Sequence, residues 1–449
     1  RGPAKKAAYD QESNPTKALL GFAKSLGMDP SAVTVEEVAG SEYVYGERRE
    51  KGRPVSQVLA EVLPGVVMGL ESPYPMRWGE ENWRWYRPIR WVVALLGADI
   101  VPLSIAGISS GRITWGHRTL HSGQLEVPSA AEYFSVMEKG SVVVDPEARA
   151  RIIAGGAKEA AKEMGDGSLP LIDEDLLSEV TSLCEHPAPF LGRFDDIYSS
   201  LPKEVLITAM RHHQRYFPVV DQAGNVLAGF IGVRDGDPSH GIDTVRAGNE
   251  WVLTARLKDA RFFFDQDVKT RLADRLPDLA GVRFLRNSGT MLDKARRMER
   301  LAGPLFDALG LWSDPRPADG GSISAGGSTL ASNPTLDGSD DENLSVLADG
   351  GYSPAHGLSL DRYGDKNSEV LASSLGIDDA EYASERQLAV AAARLAKADL
   401  VTSMVREFPE LEGIMGGCYG DIEGLPVQVT AAIPDQYLPR GAKDRLPGK

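Results

Sequence analysis

Hydrophobic and polar positions along the chain follow two periods, and each change of period marks a new element. After Asn14-Pro15-Thr16, the residues Leu19, Leu20, Ala23 and Leu26 recur at helical spacing until Gly27 stops the run. Residues 1–60 therefore read as short helices and turns. From Arg87 the pattern alters: residues 89–96 and 100–105 read as two strands joined at Gly97-Ala98-Asp99, which is a hairpin signal. Helical spacing returns at 130–139, 146–164 and 173–184. The second of these has proline in its first turn, and the third has acidic residues at its N-terminus, where the helix dipole favours them.

A second hairpin is clearer, with strands at 216–220 and 226–233 around the turn Asp221-Gln222-Ala223-Gly224-Asn225. A long helix is expected over 243–265, with Leu253, Leu257, Ala260 and Phe264 on its buried face, and another over 291–309. Helical periodicity resumes at Glu385, with Leu388, Ala391, Leu395, Ala398 and Thr402 on one stripe. Strands and helices mix without regular alternation, which predicts an α+β fold. Residues 313–375 differ in kind. They begin with a Gly/Ser tract, continue as an acidic, Ser-rich stretch, and read as a disordered insertion.

Composition narrows the function classes. The 449 residues are 42% hydrophobic and 25% charged, as in a globular protein, and no apolar run approaches the roughly 18 residues a membrane helix needs. No membrane partner is expected. The chain starts at Arg1, and Arg1-Gly2-Pro3 resembles neither a signal peptide nor a transit peptide, so a piece of a longer protein is expected. Two cysteines, Cys184 and Cys418, read as buried thiols of a reducing compartment. The net charge of -15 disfavours a nucleic-acid partner only on average. Residues 311–385 hold 14 acidic and 3 basic side chains, whereas residues 251–300 hold 12 basic and 7 acidic ones. A local cationic face is compatible with the composition.

There is no glycine-rich phosphate loop and no dinucleotide fingerprint, and the seven histidines lack zinc-ligand spacing. The segment 203–217 ends in Arg211, His212, His213, Gln214, Arg215, Tyr216 and Phe217. Cations beside aromatic rings suit single-stranded or looped RNA, with arginine on phosphate and a ring under a base. The plainer reading is that Arg and His complement a helix C-terminus while the aromatics open a buried strand. On the long helix, Asn249, Arg256 and Asp259 share one face. Arg256 and Asp259 read either as an ordinary ion pair or as part of an interface to RNA or a partner subunit. Phe262, Phe263 and Phe264 read as core plus packing. Asp399 lies next to an apolar stripe and reads as a hydrogen-bonded packing residue or a cation ligand.

Several blocks together resemble the β subunit of the bacterial-type glycyl-tRNA synthetase. They are R-G-P-A-K-K-A-A-Y-D, N-P-T-K-A, M-R-W-G, R-P-I-R, I-T-W-G-H-R, L-L-S-E-V-T-S-L-C-E-H-P, L-P-K-E-V-L, Q-R-Y-F-P-V, G-N-E, A-R-L-K-D-A-R-F-F-F and M-G-G-C-Y-G. The resemblance implies a subunit that binds and orients tRNA(Gly) while a separate or fused α subunit holds the aminoacylation site. ATP and Mg would serve the holoenzyme, with no cofactor and no metal on this chain and no catalytic residue among its own. It further implies a helical segment over 1–75 and an α+β body, B3/B4-like, over 76–290. A helix over 291–312, the disordered insertion over 313–375 and a truncated all-α, HD-like domain over 376–449 would follow. An anticodon-binding domain is expected to lie beyond Lys449. The HD-type His-Asp pair is matched by Ala398-Asp399, which departs from the motif, and the insertion suggests an organellar version, from a chloroplast or mitochondrion, with a bacterial-type cytoplasm as the alternative. Candidate tRNA contacts are Arg211, Arg215, Tyr216, Arg256 and Lys258, with Asn249 and Asp259 in interface or structural roles. The rival expectations are a divergent HD-type metal phosphohydrolase and a scaffold without RNA affinity.

Overall fold

The structure, a computed structural model, describes residues 1–38, 40–48, 52–71, 73–79, 83–309, 384–440 and 446–447. The expected insertion over 313–375 lies outside the described residues. Helices and mostly antiparallel strands are mixed, as α+β patterning requires. The chain divides into two compact units, residues 1–114 with 124–133, and residues 115–123 with 134–449.

In the first unit, α1 (Lys17–Leu26) ends at Gly27, whose φ of +66° is the left-handed conformation that glycine adopts without strain. Ala8, Leu19 and Val44 form a small core. The segment read as helices and turns also contains a hairpin, β1 (Thr34–Val38) pairing with β2 (Ser41–Tyr45). Alternating Val and Tyr on this short ribbon supply the strand preference. Next, α2 (Val55–Met68) lays Leu59, Leu63 and Val67 on Val101, Leu103 and Ile105. The expected hairpin across Gly97 is present but short. Leu95–Leu96 pairs with Asp99–Ile100, while Val92–Val93 pairs in parallel with residues 110–111. A parallel partner this far along the chain leaves no trace in local periodicity.

The second unit contains α3 (Pro146–Ala161), β3 (Leu169–Pro170), α4 (Glu174–Leu183), β4 (Pro187–Arg193), α5 (Lys203–Thr208), β5 (Phe217–Val220) and β6 (Val226–Asp235). Its strands form one antiparallel sheet in the order β3-β5-β6-β4. The β5–β6 turn is set locally: the Asp221 carboxylate accepts from the amides of Ala223 and Asn225 at 2.9 and 2.8 Å. On one face, Leu191, Phe217, Val219 and Ile231 pack with Ile153 and Ala157 of α3 and Leu176 and Val180 of α4. On the other face Phe190 lies opposite Gly232, and Phe230 opposite Gly192. A Cβ on Gly232 or Gly192 would come within 2.5 or 2.3 Å of the facing ring, so only glycine leaves room for both rings.

Downstream lie α6 (Ile242–Asp267), α7 (Met291–Ala308), α8 (Glu385–Leu395), α9 (Ile414–Ile422) and α10 (Val427–Asp435). Their apolar sides join the Phe190 and Phe230 face in one core. The stripe Leu388, Ala391, Leu395, Ala398 and Thr402 is buried throughout, although the helix stops at Leu395 and a 3-10 turn carries Ala398. Of the three phenylalanines, Phe264 is fully buried while Phe262 is 59% exposed, because a helix cannot turn consecutive side chains to one side. Asp267, 2% exposed at the end of α6, ties the layers together. It accepts from the amides of Ser403 and Met404 at 3.0 and 2.8 Å and from the Tyr419 hydroxyl at 3.2 Å, and it faces Arg275 at 3.3 Å.

Candidate functional site

The corner between α5 and β5 holds most of the sequence-expected contacts. After Thr208 the helix widens into a π turn over Ala209–His213, and Arg215 takes φ +58° before the chain enters β5. This wide, left-handed exit aims both arginines at α4. Arg211 meets the Asp173 carboxylate at 2.6 Å, and Asp173 also caps α4 by accepting from the Leu176 amide at 2.8 Å. The Nε of Arg215 donates to Glu179 at 2.8 Å, and its guanidinium also donates to the His212 carbonyl. His212 is exposed at its surface, yet partial desolvation by the protein packed beside it holds it below its ordinary pKa, and the neighbouring Arg211, His213 and Arg215 add to the effect against Glu410.

Tyr216, expected to offer its ring to a base, faces inward. It is 6% exposed, and its ring stacks on Phe230 with centroids 4.3 Å apart. Its hydroxyl donates to Asn249 Oδ1, while Asn249 Nδ2 donates to the Val245 carbonyl at 2.7 Å. Burial pushes the Tyr216 phenol up to about 12. Both ends of the Tyr216–Asn249 pair are committed to the core, so Asn249 holds α6 to the corner. Of the two readings of Arg256 and Asp259, the ion pair is not formed: Arg256 faces Glu407 at 3.4 Å. Lys258 and Asp259 are exposed on α6, and neither has an ion pair among the described residues. The structure therefore brings Arg211, Arg215, Tyr216 and Asn249 together and leaves Arg256, Lys258 and Asp259 along the same helix.

Sequence reading passed over the arginines on and before α7. Arg283, Arg286, Arg296 and Arg300 are exposed and Arg297 is half-buried, and among the described residues none is within ion-pair distance of a carboxylate. The 12 basic residues counted over 251–300 were the available signal, but a count cannot separate paired cations from unpaired ones.

Asp399 is fully buried, and its Oδ2 accepts from the amides of Gly413 and Gly416 at 2.5 and 3.1 Å at the start of α9. Burial outweighs these bonds and pushes its carboxyl up to about 6. Lys397, 7% exposed, lies 3.7 Å from the Tyr437 ring centroid. Burial and then Lys294 lower it to about 8, against Asp399 and Glu412. Among the described residues, no group of three or more His, Cys, Asp or Glu side chains converges as a metal site would. Cys184 and Cys418 are buried and unpaired, and burial raises Cys184 to about 11, as suits a packing thiol. No helix among the described residues is long and apolar enough to cross a membrane.

A family model described as glycyl-tRNA synthetase beta subunit matches residues 1–322 and 361–449. The chain belongs to this family. A glycine–tRNA ligase beta subunit of Desulforamulus reducens is 39% identical over 447 residues, and those of Desulforudis audaxviator and Clostridioides difficile are each 38% identical over the same length. Each alignment spans the whole of this chain and 54% of the relative, so the chain covers about half the length of these family members. Residues 323–360, which the family model passes over, fall inside the Gly/Ser-rich and acidic tract.

Proposed function

We propose that this chain is the tRNA-engaging and assembly-forming region of a glycine–tRNA ligase. Attachment of glycine to tRNA(Gly), with ATP and Mg, takes place on an α subunit or fused α region. The observation that carries this reading is the family match along nearly the whole chain. Two further features support it. The sequence has no glycine-rich phosphate loop, and among the described residues no three His, Cys, Asp or Glu side chains converge as a metal site would. The proposed contribution is positional: protein cations hold the tRNA backbone so that its acceptor end meets the partner's site in a fixed orientation. Lys258 is free to reach phosphate directly. Arg211, Arg215 and Arg256 would first have to exchange a carboxylate for it. A B3/B4-like body, an HD-like helical portion and an organellar setting belong to the same proposal, the last resting on the insertion.

The test is glycylation of tRNA(Gly) by α alone, by this chain alone and by both, together with direct tRNA binding by this chain. Charging only with both partners, and tRNA affinity in this chain, are expected. Full α association without tRNA affinity would leave a scaffold and overturn the reading.

A further inference from the structure

The segment 283–300, R-F-L-R-N-S-G-T-M-L-D-K-A-R-R-M-E-R, folds into one cationic surface. Its first half is a tight loop. The Phe284 amide donates to the Gly289 carbonyl at 3.1 Å, the Ser288 amide to the Leu285 carbonyl at 3.0 Å, and Arg283 bridges to Thr290. Asn287 and Gly289 take φ of +69° and +82°, and a Cβ on Gly289 would lie 2.5 Å from the Asp293 carboxylate. The loop therefore has a fixed shape, with Arg283 and Arg286 exposed beside the start of α7. On α7 itself, Arg296, Arg297 and Arg300 fall at i, i+1 and i+4. Together with Ser288, Gly289 and Glu299 they line an open cleft of about 740 Å3.

Two carboxylates reach this cleft, and both are engaged elsewhere. Asp293 closes a capping box, its Oδ2 accepting from the amide and hydroxyl of Thr290 at 2.8 and 2.9 Å. Glu299 faces Arg394 at 3.8 Å. Among the described residues, none of Arg283, Arg286, Arg296, Arg297 and Arg300 makes an ion pair; Arg297 and Arg300 donate only to the Ser288 and Arg296 carbonyls, each at 3.3 Å, and Asp293 feels the charge of Arg297 and Arg296 without bonding to either. Like charges at i,i+4 on a helix repel weakly, so this arrangement opposes folding slightly rather than aiding it. The capping box also occupies the helix N-terminus, so an anion here would be held by side chains. An open surface with arginines on both loop and helix suits a repeating anion better than one enclosed small molecule, and guanidinium matches phosphate in bidentate geometry.

We infer that the loop 283–290 and the arginines of α7 are the principal seat for RNA backbone phosphates on this chain. The inference rests on the tRNA-engaging reading and locates it away from the α5–β5 corner. The experiment titrates labelled tRNA(Gly) transcript with the full chain, alone and with α, across salt from about 50 to 200 mM. Arg296→Ala/Arg300→Ala is compared with Arg211→Ala/Arg215→Ala and the unmodified chain, and thermal melts check folding.

The α7 double variant is expected to lose roughly tenfold or more in affinity at low salt. Its log–log salt slope should become shallower by about 0.7–0.9 per lost phosphate contact. Arg296→Lys/Arg300→Lys should recover most of the slope, since the charge returns. If the unmodified chain binds tRNA and the α7 variant matches it, the inference fails while the functional reading stands. If the unmodified chain has no tRNA affinity, the functional reading itself fails. If the variant keeps tRNA but loses α, the surface is a protein interface and the inference is again overturned.

Discussion

The α5–β5 corner and the outer side of α7 are both arginine-rich, yet their charges stand in opposite states. At the corner, Arg211 and Arg215 each meet a carboxylate of α4, at 2.6 and 2.8 Å. On α7 and its preceding loop, the guanidinium groups of Arg283, Arg286, Arg296 and Arg300 have no such partner among the described residues. An ion pair presents almost no net charge beyond a Debye length, about 8 Å at physiological salt, whereas unpaired cations add their fields. Pairing therefore decides where a polyanion is drawn, and the number of arginines in a stretch does not.

The largest expected effect belongs to the most deeply paired charge. Asp267→Ala removes the acceptor of two amides and a hydroxyl and takes the carboxylate from Arg275, which keeps only its bonds to the Thr270 and residue-267 carbonyls. The change should cost about 3–5 kcal/mol in urea unfolding, as for other buried pairs broken on one side. A loss under 1 kcal/mol would mean that the layers are held by the apolar core alone. Next comes a pH dependence from the interior. Asp399 titrates at about 6 in the fold through burial, against roughly 3.9 unfolded. The folded state then holds the extra proton between those values, so this contribution is present below pH 4 and is lost as pH rises to about 6, of order 3 kcal/mol. Glu423, raised to about 7 by burial, extends the fall. Lys397, lowered to about 8, runs the other way: its deprotonation window lies between about 8 and the unfolded value of roughly 10.4, so stability recovers as pH rises through it. Urea midpoints from pH 4 to 10 should trace a minimum near pH 7–8, and Asp399→Asn should flatten its acidic limb.

Smaller effects separate structural from ligand-facing side chains at the corner. Tyr216→Phe should lose about 1 kcal/mol through the missing bond to Asn249 and leave tRNA affinity unchanged. A large loss of affinity with intact stability would restore the stacking role that its burial argues against. Arg211→Ala should lower stability by about 0–1 kcal/mol, because the pair is partly exposed. Arg300→Gln on α7 should raise stability by about 0.2–0.5 kcal/mol through relief of repulsion. Opposite signs in these two melts are the simplest check that one set of charges is paired and the other is not.

Much of this fold was legible because it is locally specified. The β5–β6 hairpin rests on Asp221, Gly224 and Asn225, and several helices carry their own caps, as Asp173 does for α4 and Thr290 for α7, while the long α6 is marked by its apolar stripe. The N-terminal hairpin was hidden by its short, mostly exposed strands, and the parallel pairing of Val92–Val93 by sequence distance. The fate of the arginines was hidden for a related reason. Glu179 lies 36 residues from Arg215, and Glu407 lies 151 residues from Arg256. Motif reading therefore found the cations at the corner without finding what neutralises them. Tyr216 carried the same ambiguity, since an aromatic that opens a strand has one pattern whether it meets a base or Phe230.

Photocrosslinking tests the central claim most directly. A p-benzoylphenylalanine replaces Leu285, which is 57% exposed between Arg283 and Arg286, or in a second protein replaces the exposed His212 at the corner. With labelled tRNA(Gly) and the α subunit present, position 285 should give the strong adduct and position 212 a weak one, with unlabelled tRNA competing the adduct away. A strong adduct at 212 with none at 285 would contradict the account.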